Sequence, residues 1–310
     1  MGHSFRFSGH ETFPCRYAWL PKFYRAMRST PEVLRDDDES MVELGIGKNM
    51  VRSARFWAQA MGVAKQDESG QFCPTKFGTS VFGSKGVDQF LEDPRTLWLL
   101  HWQLCAHIDE PLFAWDFMLN RWSNPEFTRP TALRAFREEA LRVERQLSDV
   151  TLEQHFDVFL HTYVPTRSRR LQIDEETLDC PLVELDLIQR LGERPADSGK
   201  RHDTIYAFRR EPKPEITSGL FAYCLAQYWL ARYPNEKTLP YRTVCFGHGS
   251  PGQIFKLPED DVRTRLNAIE LDTRGEFSGR ESASSQQLSW TRRGPLSVAT
   301  AYDEEVVHAG

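Results

Sequence analysis

Apolar residues recur every three or four positions in three successive segments near the start of the chain, and this spacing predicts three helices. The first helix is expected over residues 17–27. The second begins at Pro31, because proline suits the first turn of a helix, and continues through an acidic stretch. Gly45 and Gly47 then allow a tight turn before the third helix. The apolar face of this third helix consists of Val51, Ala54, Ala58 and Met61.

A hairpin is predicted directly after these helices. Residues 63–74 contain two short strand-like stretches around the turn Glu68-Ser69-Gly70. Three helices followed by a hairpin are typical of a winged helix-turn-helix, in which one helix enters a groove of DNA. We therefore expect a winged helix-turn-helix domain over residues 1–90.

Helical periodicity dominates the rest of the chain. Further helices are expected over 96–106, 112–122, 131–147, 151–163, 218–233 and 258–269. Residues 191–203 are rich in Gly, Pro, Ser and charges, a composition typical of a linker. Ser250 and Pro251 fit the cap and first position of a helix, and residues 275–290 fit a hairpin.

The pattern as a whole predicts a mainly α protein with three domains. The winged helix-turn-helix over residues 1–90 is followed by a helical domain over 91–190. In residues 204–310, predicted helices again precede a predicted hairpin. This order predicts a second, winged-helix-like domain at the C-terminal end.

Composition narrows the classes of function. Of the 310 residues, 40% are hydrophobic and 27% are charged, as in an ordinary globular protein. The net charge of −5 argues against indiscriminate coating of nucleic acid. Basic residues nevertheless predominate in segments 5–28 and 44–77, and an acidic run over 32–43 separates them. This alternation favours a polarised surface over a uniform one.

The sequence predicts no zinc site, no nucleotide cofactor and no membrane segment. The cysteines are Cys15, Cys73, Cys105, Cys180, Cys224 and Cys245. None belongs to a CxxC pair and no HExxH stretch occurs, so we expect no zinc. Without a Walker A loop or a convincing Rossmann fingerprint, no nucleotide cofactor is expected either. The chain also lacks a long apolar stretch, which favours a cytoplasmic protein without membrane contact.

The third helix is the strongest candidate for contact with double-stranded DNA. A recognition helix needs side chains near its start that reach base edges, and others that neutralise phosphates. Asparagine can pair with adenine, and arginine with guanine or phosphate. The candidate DNA-binding residues are Lys48, Asn49, Arg52 and Arg55, with Lys76 beyond the hairpin. The alternative is an ordinary solvated helix face in a winged helix that binds protein.

A second candidate site lies in the segment Phe7-Ser8-Gly9-His10-Glu11-Thr12-Phe13-Pro14. His10 is a candidate general base and Glu11 a candidate ligand of magnesium or manganese, the pair that phosphodiester hydrolysis would need. The alternative is structural: both side chains cap helices and satisfy buried backbone groups.

Three motifs taken together resemble a bacterial family, the SspB-type DNA phosphorothioation proteins, which was first described only as a domain of unknown function. They are residues 9–13 (GHETF), 44–51 (LGIGKNMV) and 91–101 (LEDPRTLWLLH). Similarity continues through residues 180–182 (CPL) to 250–255 (SPGQIF), and therefore over nearly the whole chain.

This resemblance implies a role in a bacterial defence system that replaces a non-bridging phosphate oxygen of DNA by sulfur. It implies that the chain nicks DNA so that sulfur can be inserted, and that its partners are a cysteine desulfurase, an ATPase and a phosphoadenosine-phosphosulfate-reductase-like protein. A second copy of the chain is a further candidate partner. Two other functions remain open: a non-catalytic adaptor that brings sulfur-transfer enzymes to DNA, and a winged-helix transcriptional regulator.

Overall fold

The structure is a computed structural model that describes residues 5–143, 147–166, 179–196, 202–282, 285–291 and 294–303. The chain forms two compact units, each built from two stretches of sequence. Unit 1 comprises Met1–Glu92 and Asp109–Arg209, and unit 2 comprises Asp93–Ile108 and Arg210–Gly310. The division into domains at 1–90, 91–190 and 204–310 stays a prediction.

The helices are, in chain order, α1 (Trp19–Ser29), α2 (Asp37–Leu44), α3 (Lys48–Ala60), α4 (Lys76–Phe82), α5 (Pro94–Cys105), α6 (Phe113–Asp116), α7 (Arg129–Arg142), α8 (Asp149–Tyr163), α9 (Ser218–Arg232), α10 (Tyr241–Phe246), α11 (Pro251–Ile254) and α12 (Glu259–Asp272). The strands are β1 (Ala64–Gln66), β2 (Phe72–Pro74), β3 (Glu126–Phe127), β4 (Ile188–Pro195), β5 (His202–Phe208), β6 (Thr238–Pro240), β7 (Phe277–Ser282) and β8 (Ser285–Trp290). Short 3-10 turns cover Pro31–Leu34, Pro181–Leu185 and Val298–Tyr302, and a π turn covers Phe117–Arg121.

About half of the chain is helical, and small antiparallel sheets accompany the helices. The fold class is therefore mixed α/β, and the prediction of a mainly α protein is wrong. The described part of the predicted linker over 191–203 lies mostly in strands β4 and β5. Residues 191–195 of β4 are all exposed and include Gly, Pro and charged residues, a composition typical of a loop. Residues 197–201 of that stretch lie outside the described residues.

The predicted second helix of the N-terminal region is divided in two. Pro31 begins a single 3-10 turn. The helical conformation is then interrupted at Asp36, which has extended backbone angles. The Asp36 carboxylate accepts hydrogen bonds from the N–H groups of Asp38 and Glu39, at 2.8 and 3.0 Å. Because this is the geometry of a helix N-cap, a new helix, α2, starts at the next residue.

Helix α2 ends at Leu44, and its C-cap Gly45 has a φ of +67°, the left-handed conformation common at helix ends. The predicted turn and third helix are confirmed, since α3 follows from Lys48. The predicted hairpin is confirmed as well, with β1 paired to β2 in antiparallel register from Ala64 opposite Pro74.

The remainder of unit 1 surrounds an aromatic core. Helices α7 and α8 pack together, and Phe113, Phe136 and Phe156 meet edge to face with ring centroids 5.0–5.5 Å apart. The sheet of order β3-β5-β4 covers this core through Phe127, which stacks on Tyr206. Within the described residues, no helix is both long and apolar enough to cross a membrane.

Unit 2 is organised around α9, a helix buried on most of its sides. Ser250 accepts a hydrogen bond from the N–H of Gln253 and Pro251 opens α11, as the sequence predicts. The predicted hairpin over 275–290 is confirmed as β7 and β8, and β6 joins it to give the sheet order β6-β8-β7.

Candidate functional site

Helix α3 has two contrasting faces. Its inner face is buried within unit 1 and consists of Val51, Ser53, Ala54, Phe56, Trp57, Ala58 and Ala60. On the outer face, Lys48, Asn49 and Arg52 are exposed, whereas Arg55 is mostly buried. The apolar spacing in the sequence therefore identifies the inner face correctly, and it leaves polar side chains of the first two turns facing solvent.

The cations of α3 converge on one carboxylate at the start of α2. Arg52 donates from Nε and Nη2 to Oδ2 of Asp37, at 3.1 and 2.8 Å. Arg55 donates from Nη1 to Oδ1 of the same residue at 2.6 Å, and Nζ of Lys48 lies 3.6 Å from Oδ2. The hydrogen bond from Arg55, together with those from Arg52, lowers the pKa of Asp37 from its ordinary value. Asp37 is therefore the acidic partner of the whole basic cluster.

Lys76 lies apart from this cluster in the sequence, immediately beyond the hairpin. It is the first residue of α4 and is exposed, and the preceding Thr75 caps the helix by accepting from the N–H of Gly78 at 2.8 Å. A lysine at the N-terminal end of a helix is unfavourable with respect to the helix dipole.

The turn that contains His10 and Glu11 has an unusual backbone. Gly9, Glu11 and Thr12 have φ values of +110°, +47° and +65°, and such angles are uncommon for residues other than glycine. The buried Ser53 hydroxyl donates to the carbonyl oxygen of His10 at 2.9 Å, so the inner face of α3 holds this turn. The turn and the basic helix are thus fixed to each other.

His10 is buried and faces a second histidine. Its ring is nearly parallel to that of His155, and Nε2 of His10 lies 3.0 Å from Nδ1 of His155. Nε2 of His155 accepts from the N–H of Ala114, also at 3.0 Å, which places the proton of neutral His155 on Nδ1. The Nδ1–H of His155 therefore points at Nε2 of His10. The N–H of Thr12 lies 3.3 Å from Nδ1 of the same ring, and a neutral imidazole can accept only one of these two bonds.

Burial lowers the pKa of His10 to about 4, and the charge of Arg6 adds to the effect. The pKa of His155 is also lowered by burial, and further by His10. Glu11, in contrast, is exposed. The structure thus holds His10 as a neutral, internally bonded ring and directs its neighbour to solvent, so it does not bring the two predicted catalytic side chains together around one point.

Two residues at these sites were not among the predicted functional residues. Asp37 lies in the acidic run over 32–43. The alternation of this run with the basic segments was a signal that acidic and basic side chains meet. His155 lies on an apolar helical face with nothing around it in the sequence to distinguish it from a core residue. Only the packing of α8 beside the turn at His10 reveals this pair.

Comparison with known proteins gives a consistent result. The model of the DUF4007 family, described as a protein of unknown function, matches residues 7–302. Two crystal structures of SspB, one of them bound to a magnesium ion, match with a TM-score of 0.79 and 26% sequence identity, over 97% of this chain and 86% of the SspB chain. No curated protein gives a significant match. The chain therefore belongs to the DUF4007 family, and the SspB-type resemblance predicted from its motifs is confirmed.

Proposed function

We propose that this protein is the DNA-binding component of a bacterial DNA phosphorothioation system, and that residues 1–90 form a winged helix-turn-helix with α3 as its recognition helix. The observation that supports this most directly is the outer face of α3, where Lys48, Asn49 and Arg52 are exposed at the start of a helix that is followed by a hairpin. The phosphorothioation role rests on the resemblance to SspB-type proteins.

The start of α3 is suited to a phosphate group. The N-cap residue Gly47 has no side chain to cap the first N–H groups of α3, and the first turn contains no acidic residue. The N–H groups at a helix start favour anions, and here Lys48 and Arg52 add positive charge on the same side. Asn49 is the second residue of α3 and is the candidate for hydrogen bonding to a base edge.

Fluorescence anisotropy with a labelled DNA duplex tests this proposal. Arg52→Ala and Lys48→Ala should each weaken binding and reduce the slope of log affinity against log salt by about 0.9, the value for one lost phosphate contact. The charge-matched control is Arg134→Ala, because Arg134 is exposed on α7 and lies far from α3 in the sequence. Equal affinity and slope in all four proteins would refute the assignment of α3.

Whether the protein also nicks DNA is a separate question, and hydrolysis of a phosphodiester would need magnesium or manganese. The described residues contain no group of three or more His, Cys, Asp or Glu side chains placed to hold a metal ion. Nε2 of His10 also faces His155 rather than solvent. His10 and Glu11 therefore do not fit a bound metal, and we assign no metal-dependent step to them. The occupied His10 favours the second candidate function, a non-catalytic adaptor for sulfur-transfer enzymes.

Relaxation of supercoiled plasmid separates a nickase from an adaptor. Purified protein is incubated with plasmid and magnesium or manganese, alongside Glu11→Gln and His10→Gln. Relaxation by the wild type that is lost in Glu11→Gln would support nicking at this turn. Thermal melting of both variants is needed, because His10 is buried and its replacement also disturbs His155. DNA binding without relaxation would leave the adaptor function.

A further inference from the structure

The cluster formed by Asp37, Lys48, Arg52 and Arg55 contains two kinds of cation. The Arg55 side chain is 15% exposed, and it also donates to the Asp36 carbonyl and the Ser40 hydroxyl, each at 2.9 Å. Arg55 is therefore a fixed link between α2 and α3, and it would stay in place when a ligand binds.

Lys48 and Arg52 are different. Their side chains are 50% and 46% exposed, and among the described residues their charged groups contact only the carboxylate of Asp37. The Asp37 side chain is 19% exposed, but it keeps Arg55 as a partner when the other two cations leave. Ion pairs with a half-exposed cation contribute little to stability, because solvent screens them and side-chain entropy opposes them. Both cations can therefore leave Asp37 at little cost and turn outward.

The carboxylate of Asp37 resembles a phosphodiester in the features that these cations recognise. Each group has one negative charge shared between two oxygens, and each accepts charge-assisted hydrogen bonds from guanidinium and ammonium groups. Asp37 also lies beside the first residue of α3, at the end of the helix where a DNA phosphate would be favoured. It thus occupies the position of a phosphate with respect to the two exchangeable cations.

We infer that Asp37 is an internal competitor for backbone phosphates of DNA: it holds Arg52 and Lys48 in the free protein and releases them when a duplex binds. This inference rests on the proposed DNA-binding function and specifies how that site is regulated. The competition lowers the affinity for every duplex equally, because backbone phosphates are the same in all sequences. Stable binding then requires further contacts, such as those of Asn49 with bases, whereas the ratio of affinities for different sequences is unchanged.

An opposite role for Asp37 predicts the opposite sign. If the carboxylate serves to orient Arg52 and Lys48 for DNA, its neutralisation should weaken binding. If it competes, neutralisation should strengthen binding. The sign of the change in affinity therefore decides between the two.

The test compares Asp37→Asn with Asp38→Asn. Both remove one negative charge from the start of α2, but Asp38 is exposed and its side chain contacts none of these cations. Anisotropy with a labelled duplex should show about tenfold tighter binding for Asp37→Asn at low salt. Its salt slope should differ from that of the wild type by less than about 0.9, because Arg52 and Lys48 contact phosphates in both bound proteins. Asp38→Asn should remain within about twofold of the wild type.

A double variant shows whether the gain acts through the cation. In Asp37→Asn combined with Arg52→Ala, most of the gain should disappear, because the released side chain is absent. Thermal melting checks that each variant is folded. The Asp37→Asn change is mild in this respect, because the amide oxygen of the new side chain can still accept one bond from Arg55.

Two results would overturn the inference. Binding by Asp37→Asn that is equal to Asp38→Asn, or weaker, contradicts it while leaving the proposed function intact. A wild type and variants that bind no duplex at any salt concentration would remove the proposed function, and the inference with it.

Discussion

Replacement of Arg55 by methionine should mainly lower stability, whereas replacement of Arg52 by methionine should mainly weaken DNA binding. Methionine keeps much of the aliphatic stem and a good helix propensity, so each change mainly removes the guanidinium group. Both arginines contact Asp37, yet Arg55 is mostly buried whereas Arg52 is about half exposed. Burial and the number of partners therefore determine the difference.

The magnitude follows from the contacts of Arg55. It donates to Asp37, to the Asp36 carbonyl and to Ser40, and its removal leaves the Ser40 hydroxyl with one partner fewer. Charge-assisted bonds at a partly buried site contribute about 1 kcal/mol each. The buried Nε of Arg55 has no hydrogen-bond partner in the described part of the chain, which offsets part of this gain. The net loss on Arg55→Met should be about 2 kcal/mol.

Arg52→Met should cost less than about 0.5 kcal/mol, because exposed ion pairs are weak. For a cooperative unit of this size, a loss of about 2 kcal/mol corresponds to a fall in Tm of about 4–8 °C. Circular dichroism during thermal and urea unfolding measures both quantities, and duplex anisotropy at a temperature where all variants are folded measures binding. Arg52→Met should weaken binding at nearly unchanged Tm. Equal stability losses in the two variants would refute the distinction between fixed and exchangeable cations.

Two further variants test the buried parts of each unit. Gly9→Ala should lower Tm by several degrees in a thermal melt, because φ at Gly9 is +110° and a Cβ there would lie 2.7 Å from the Phe56 ring; an unchanged Tm would contradict the rigidity of this turn. Burial lowers the pKa of His101 to about 4, although its hydrogen bond to the Ile254 carbonyl acts in the opposite direction. Since the folded pKa is below the unfolded one, the stability from neutral His101 is present above about pH 6.5 and is lost as the pH falls toward about 4, by up to about 1.4 kcal/mol per pH unit. Urea unfolding at about pH 7 and about pH 5 should therefore show a smaller acid loss for His101→Gln, which can donate to Ile254 without titrating, than for the wild type.

Local signals in the sequence were sufficient for much of the secondary structure. Gly45 and Gly47 mark the turn before α3, Ser250 and Pro251 mark the start of α11, and alternation with turn residues marks both hairpins. These features depend on backbone angles, capping groups and periodicity, all of which act over a few residues. The break at Asp36 was missed because aspartate is compatible both with a helix surface and with a cap, and only its bonds to two N–H groups distinguish them.

The sequence by itself determined which face of α3 is buried, where that helix begins, and that basic and acidic segments alternate around it. Tertiary structure alone decided which cation of α3 is mostly buried and which are half exposed, and that all three contact Asp37 across the turn. It also decided that His10 faces His155, 145 residues away along the chain, within a buried environment. Burial and long-range pairing set the charge state and accessibility of a side chain, and neither quantity is encoded in local spacing.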